Sequence, residues 1–486
     1  MSAYSCHIAK HPAYRMKITG DAELLDSIHD FFQSVKFVKQ CRRMWGRVQW
    51  HTVREDVNLV EGAKYDRFRR RTELICHRGY FAYLILFLYD LKRKHGIKYN
   101  TDIVYKGEIK LSPKWAGILR DYQVEAFEKI TKLKGGIVQL QTGSGKTEIF
   151  TAIIDSYLES YPQQCALITV PKNAIMDEVL ARFERYNLSG YFEGDSPKAR
   201  VLNPMGYGRS GMYHDKAMDK WLARVGIVIS DECHHIVANS YNKLYNKCVN
   251  AEYSYGFSAT ASTKRLDDTS RFRGFPYEAQ VRIGLTGPAA VFKFAKDMGK
   301  ELDYVAVHGN FGKPEKRDGK DYAKIVHTLC HRPAFLNAVK TIVNMWGNKV
   351  IYIPIPFIQA GESIYNYLSA HNIAAIHWTG GYLCQPKELD TLDKIKSAID
   401  SGEYRVLIST STSNEGVDIS GLTAALLVCG RDHKNIVQSA GRAGRRGIPT
   451  VINMYNEESP ILLNQAKQRN TWIRLNYNVE PKKIAI

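Results

Sequence analysis

Seven residues, Gln141 to Thr147 (QTGSGKT), combine two glycines, a lysine and hydroxyl groups in a pattern that wraps phosphate. Gly143 and Gly145 let the backbone curl so that its amides point at phosphate oxygens, and a helix starting there adds partial positive charge. Lys146 is then placed to bind β- and γ-phosphates and Thr147 to hold Mg²⁺, with Thr142 and Ser144 completing the loop. Leu140 replaces the first glycine of the general pattern, so the flanks must decide. They are an apolar strand ending at Leu140 and a helix-like run from Glu148 to Leu158, the strand-loop-helix frame that such a loop requires.

A second chemical pair follows an uncharged strand-like run, Val225 to Ser230. Asp231 and Glu232 fall at its carboxyl end, where ligands bind parallel sheets. Asp231 can hold Mg²⁺ through water, and Glu232 can orient and deprotonate a water that attacks a γ-phosphate. The blander alternative is an acidic turn that caps the next helix. About twenty residues before the phosphate loop stand Arg120 and Gln123, whose amide both donates and accepts and so matches the N6/N7 edge of adenine.

Arg442 and Arg445 lie three apart in a glycine-rich frame beginning at Gln438 (QSAGRAGR). That spacing can set both guanidinium groups on one face of a helical turn, aimed at a phosphate. An arginine so placed contributes about 10³ to 10⁵ in phosphoryl-transfer rate. A solvated basic helix is the alternative.

These residues need a frame, and the chain alternates β-rich runs with amphipathic segments from about residue 113 to 290 and again from about 340. The expected fold is α/β: two RecA-like parallel-sheet lobes in tandem behind a small basic α+β amino-terminal domain. The boundaries are expected at 1–105, 106–295 and 296–486. Between the alternating stretches, His308 to Asp321 reads as an exposed charged loop, and Tyr80 to Leu91 reads as a buried helix with a basic end.

The formal charge of +19 and the pI near 9.3 favour polyanionic partners, since phosphate binding releases condensed counterions. The first 100 residues carry 19 lysines and arginines against 10 acids, nearly half the net charge. Nine scattered cysteines without zinc spacing imply a reducing compartment, the cytoplasm, and no structural zinc. No secretory signal and no membrane-spanning run is read in the sequence.

Taken in order, Leu119 to Gln123, Gln141 to Thr147, Val170 to Ile175, Asp231 to His234, Ser258 to Thr260, Thr410 to Asp418 and Gln438 to Arg445 resemble the motifs of superfamily 2 helicases. The resemblance covers about residues 113 to 455. It implies ATP and Mg²⁺ as cofactors, and catalytic roles for Lys146, Asp231, Glu232, Gln438, Arg442 and Arg445. It also implies that Pro171, Lys172, Asn173, Thr379, Gly380 and Thr410 hold a nucleic-acid strand. Ser258 and Thr260 would couple nucleotide state to grip, and Gly416 and Asp418 would sense the nucleotide. Two departures stand out: the acidic motif reads DECH rather than DEAD, and Ser439 replaces an arginine common in the last motif.

In the amino-terminal domain, Arg42, Arg43, Arg47 and Arg67 to Arg71 are interleaved with Phe37, Trp45, Trp50, Tyr65 and Phe68. Such a mixture suits phosphate contact and base stacking, with Arg43, Trp45 and Arg47 as candidate DNA contacts. For each aromatic, a place in the domain's own core is the equal alternative. The arrangement resembles branch-specific helicases of the UvsW type, and implies a monomeric motor acting on forks, Holliday junctions and D-loops. An RNA helicase and a duplex-DNA translocase of a restriction-type complex remain open as alternatives, as does a non-catalytic ATP switch.

Overall fold

The computed structural model describes residues 4–12, 14–44, 47–104, 106–209, 215–259, 275–315, 322–379, 384–410, 419, 421–430 and 447–486. The chain divides into two compact units, residues 1–139 with 145–292, and residues 293–486 with the short stretch 140–144.

The first unit begins with strands β1 (Ser5–His11) and β2 (Arg15–Gly20), helix α1 (Ala22–Phe31), a ribbon β3 (Gln33–Met44) and β4 (Arg47–Asn58), then β5 (Gly62–Tyr65), β6 (Arg71–His77), helix α2 (Phe81–His95) and β7 (Lys98–Thr101). Five strands form one sheet in the order β5-β6-β2-β1-β7, antiparallel except for β1 with β7. Ile8, Met16, Ile18 and Leu74 alternate inward from its strands and pack on Leu25 and Ile28 of α1 and Leu84 and Leu88 of α2. Helix α2 buries only one face. Leu86 and Tyr89 are exposed, so the run expected as a buried helix is buried on one face and amphipathic. Its basic last turn and the left-handed Gly96 that ends it follow the usual charge and capping preferences.

The ribbon stands apart from that sheet. β3 and β4 pair with each other over twelve residues and with no other strand among the described residues. Its root is held by the Tyr277–Thr286 helix, where Ser34 donates a hydrogen bond to Gln280 Oε1 and the Lys36 ammonium sits 5.6 Å from the Tyr277 ring centroid.

Further along the same unit come α3 (Asp121–Thr131), β8 (Gly135–Gln139), α4 (Lys146–Ser160), β9 (Cys165–Thr169), α5 (Asn173–Arg185), β10 (Ala199–Leu202), β11 (Val225–Ser230), β12 (Tyr253–Ser258) and β13 (Ala289–Phe292). Six parallel strands run in the order β10-β9-β11-β12-β8-β13. β8, β9, β11 and β12 are buried at every position, as strands covered by helices on both faces must be.

The second unit holds an eight-stranded sheet: β14 (Asp303–Gly309), β15 (Ile351–Ile355), β16 (Ala375–Trp378), β17 (Cys384–Gln385), β18 (Val406–Thr410), β19 (Ala424–Leu427), β20 (Thr450–Asn456) and β21 (Lys482–Ala485). The order is β17-β16-β18-β15-β19-β20-β14-β21, parallel apart from β16 with β17. The mixed α/β architecture with two parallel-sheet lobes is the expected one. His308 corrects the expected start of the charged loop: it lies in β14, paired with Tyr455, and its ring bonds Glu457 at 3.1 Å. Residues 316–321 of that stretch lie outside the described residues. No described helix is long and apolar enough to cross a membrane.

Candidate nucleotide site and nucleic-acid segments

The phosphate loop leaves β8 at its carboxyl end and enters α4 directly, with Lys146 as the first helical residue and Thr147 as the second. Gly143 (φ 72°) and Gly145 (φ 75°) are both left-handed, the conformation that glycine adopts at least cost. At Gly145 space is short as well, because a Cβ would fall 2.2 Å from Gln123 Nε2. Among the described residues the Thr142 hydroxyl is buried without a hydrogen-bond partner, and Ser144 is fully buried. Curled glycines, an orphaned hydroxyl and the amino-terminal end of a fifteen-residue helix fit an anionic ligand. Lys146, with the helix amides, would hold ATP phosphates, and the oxygens of Thr147 and Asp231 suit Mg²⁺.

Gln123 is buried at the start of α3. Its Oε1 accepts from the Arg120 backbone N–H at 2.8 Å and its Nε2 donates to Gly145 O at 3.2 Å. The amide therefore props the phosphate loop. Arg120 is exposed and donates to Tyr122 OH at 3.1 Å.

Asp231 and Glu232 follow β11, as the sequence suggested. Asp231 is buried, and its Oδ1 accepts from the Glu232 N–H at 2.9 Å. Glu232 has a left-handed backbone, φ 44° and ψ 50°, an unusual state for a residue with a Cβ. Strain of that kind costs about 1 to 3 kcal/mol and persists where the surroundings enforce it. Here they do: Glu232 Oε2 accepts from Ser258 Oγ at 3.1 Å and lies 3.2 Å from His234 Nδ1, while His234 Nδ1 and Ser258 Oγ are 2.9 Å apart. Burial pushes the Asp231 carboxyl up, and the Glu232 charge adds to that. Burial acts on Glu232 in the same direction, yet the His234 hydrogen bond, the Lys146 ammonium and the Ser258 hydroxyl outweigh it and hold Glu232 below the usual carboxylate range.

His234 closes the acidic motif, and sequence reasoning assigns it no role. Its signal is its place three residues after Asp231; its partner, 24 residues further on, is visible only in the fold. Burial raises the neighbouring Cys233 thiol to about 12, so it packs as a neutral group against Gly256, where a Cβ would meet its sulfur at 2.9 Å.

The expected nucleic-acid segments are placed in part. Pro171 is buried, Lys172 caps α5, and exposed Asn173 opens it, its Oδ1 accepting from Asn203 Nδ2 at 3.0 Å. In the second unit Thr379 directly follows β16 and Thr410 ends β18, both buried. Arg43 and Arg47 lie on the two strands of the ribbon. Trp45, Thr260, Gly380, Gly416, Asp418, Gln438, Arg442 and Arg445 lie outside the described residues.

Residues 117–263 match the family model described as "Type III restriction enzyme, res subunit", and residues 337–447 match "Helicase conserved C-terminal domain". The chain is 21% identical over 417 residues to ATP-dependent DNA helicase uvsW of Enterobacteria phage T4, covering 80% of this chain and 77% of that protein. It is 22% identical over 385 residues to a protein of Acanthamoeba polyphaga mimivirus named for ATP-dependent RNA helicase activity, covering 75% and 70%. Among solved structures, S. cerevisiae Dbp5 bound to RNA and ADP BeF3 superposes with a TM-score of 0.52 at 13% identity, covering 78% of this chain and 94% of that one.

Proposed function

Because this chain belongs to the superfamily 2 helicases, ATP-driven enzymes built on two such lobes, we propose that it is a DNA motor that unwinds or branch-migrates forked and junction DNA in recombination, repair or replication. The observation that carries the catalytic half is the hydrogen-bonded set Glu232, His234 and Ser258 at the ends of adjacent strands, within the field of Lys146. A carboxylate held low by three partners is a weak base and a well-fixed acceptor. Its work is to orient the attacking water and to accept its proton as the water oxygen bonds the γ-phosphorus and the bond to the bridging oxygen breaks, releasing ADP. Bound Mg²⁺ supplies charge neutralisation on the phosphates; Thr147 and Asp231 are its protein oxygens in this reading. Lys146 holds the same phosphates, and Arg442, Arg445 and Gln438 are assigned to the developing charge.

The DNA half of the proposal rests on the basic amino-terminal domain, residues 1–105, set before lobes at 106–295 and 296–486. Its surplus of positive charge offers a second place to engage a duplex arm while Pro171, Lys172, Asn173, Thr379, Gly380 and Thr410 grip the tracked strand. The mimivirus relative named for RNA helicase activity favours a second reading, RNA unwinding. Steady-state ATP hydrolysis measured with forked DNA, linear duplex DNA and RNA at one salt concentration separates the two. Unwinding of static forks and four-way junctions, set beside linear partial duplexes, tests the branch preference. Greatest stimulation by RNA, or equal rates on branched and linear DNA, overturns the corresponding part.

A further inference from the structure

The turn between β5 and β6 presents an aromatic ring to solvent in a setting built to hold it there. Phe68 is 63% exposed at the tip, and Tyr65, 54% exposed, stands at the end of the edge strand β5. Neither serves the domain's core, which resolves for these two rings the choice that the sequence left open. Asp66 organises the turn: its Oδ1 accepts from the backbone N–H of Phe68 at 2.8 Å and of Arg70 at 2.9 Å, and its Oδ2 accepts from Arg70 Nε at 2.8 Å. Arg69 N–H donates back to Asp66 O at 3.0 Å with a left-handed backbone, φ 60°.

The arginines then divide into two groups. Arg70 is tied to Asp66 and Arg71 pairs with Asp26, whereas Arg67 and Arg69 have no carboxylate within ion-pair distance among the described residues. The guanidinium carbons of Arg67 and Arg70 lie 4.7 and 5.2 Å from the Phe68 ring centroid. An exposed phenylalanine forgoes the stabilisation of burial, and a fixed turn lowers the ordering cost of whatever covers it. Four arginines within five residues select a polyanion for that cover, and a flat apolar ring among them selects an unpaired base.

We propose that Phe68 is a stacking platform for an unpaired base of single-stranded nucleic acid, with Arg67 and Arg69 on its flanking phosphates. The proposal rests on the nucleic-acid-binding reading above and adds a residue-level site outside the motor segments. A strand freed at a branch point is the substrate it fits, since a base inside a duplex has both faces covered by its stacked neighbours.

The test uses the full chain and a single-stranded oligonucleotide carrying one 5-iodouracil, which photocrosslinks to an aromatic ring on which it stacks. The expected crosslinked peptide contains Phe68. Phe68→Ala abolishes that crosslink and weakens binding about 5- to 150-fold, the loss of one stacked base, while Phe68→Trp restores both. Arg67→Gln combined with Arg69→Gln reduces the slope of log affinity against log salt by about 0.7 for each phosphate no longer neutralised. Crosslinks confined to other peptides, with Phe68→Ala binding as the parent does, overturn the platform. Failure of the parent chain to bind any nucleic acid overturns the motor reading instead, so the two failures are distinct.

Discussion

His234 Nδ1 and Ser258 Oγ lie 2.9 Å apart, which ties the loop after β11 to the carboxyl end of β12. Ser258 donates to Glu232, and the closeness of Nδ1 to both oxygens calls for a proton on that ring nitrogen. The nucleotide-facing carboxylate is thereby fixed to the segment expected to couple ATP state to strand grip.

Removing Ser258 takes one hydrogen bond from a charged acceptor, worth about 1.5 to 3 kcal/mol. Ser258→Ala is expected to lower kcat for ATP hydrolysis tenfold or more with little change in KM for ATP. Glu232→Gln, which keeps the shape and removes the charge, should lower kcat by about 10² to 10⁴ while nucleotide still binds. Single-turnover hydrolysis and equilibrium nucleotide binding read the two quantities separately; normal turnover in Glu232→Gln would remove that residue from the chemistry.

Gly145 is constrained twice, by φ 75° and by the Gln123 amide that a Cβ would meet at 2.2 Å. Gly145→Ala must either leave the left-handed region or push Gln123 off the loop. It is expected to weaken ATP binding by tenfold or more at a cost to folding of only about 1 kcal/mol. Fluorescent-nucleotide titration beside thermal unfolding checks this, and unchanged affinity would show that the curl is not needed.

The phosphate loop and the acid pair were legible because glycine spacing and uncharged strands are local signals that survive without a fold. The roles of His234 and of the Tyr277–Thr286 helix were not, because each depends on partners distant in sequence. Ser34 and Gln280 are 246 residues apart, and their bond roots the ribbon whose twelve-residue register no periodicity announced. Leu86 and Tyr89 show a limit of another kind: the apolar composition marks a buried helix but does not say which face is covered, and here that face carries Tyr83, Leu84 and Leu88. The short strands β10 and β13, four residues each, carry too few positions for an alternation to show.

Gly79 meets the backbone of the Tyr277–Thr286 helix so closely that a Cβ would fall 2.0 Å from Ile283 O, and Ile283 itself completes the amino-terminal core. The first domain is therefore no detachable appendage. Gly79→Ala is expected to cost about 1 to 3 kcal/mol through forced backbone shifts. Deleting residues 1–100 should expose Ile283, Val281 and Tyr277, lowering the unfolding temperature and promoting association. Thermal melts and size-exclusion chromatography read both effects; a truncated chain that stays monomeric and melts with the parent would refute the shared core.

His377 of β16 is fully buried, both ring nitrogens lack a hydrogen-bond partner among the described residues, and a Cβ on Gly361 would come within 2.5 Å of Nε2. Burial lowers its pKa to about 4, against an unperturbed value of about 6.5. The sign follows from proton counting. Between those values the unfolded chain takes up a proton that the folded chain refuses, so stability is complete above about pH 6.5 and declines as pH falls toward 4. The contribution lost across that window is up to about 3 kcal/mol. Since other groups titrate in the same range, the measurement is a difference: denaturant unfolding of the parent and of His377→Leu at pH 7.5 and pH 5. The parent should lose more stability than the variant on acidification, and parallel losses would mean that the ring finds a way to accept its proton in the fold. Thr379 follows two residues later, so acid should loosen the segment assigned to strand grip.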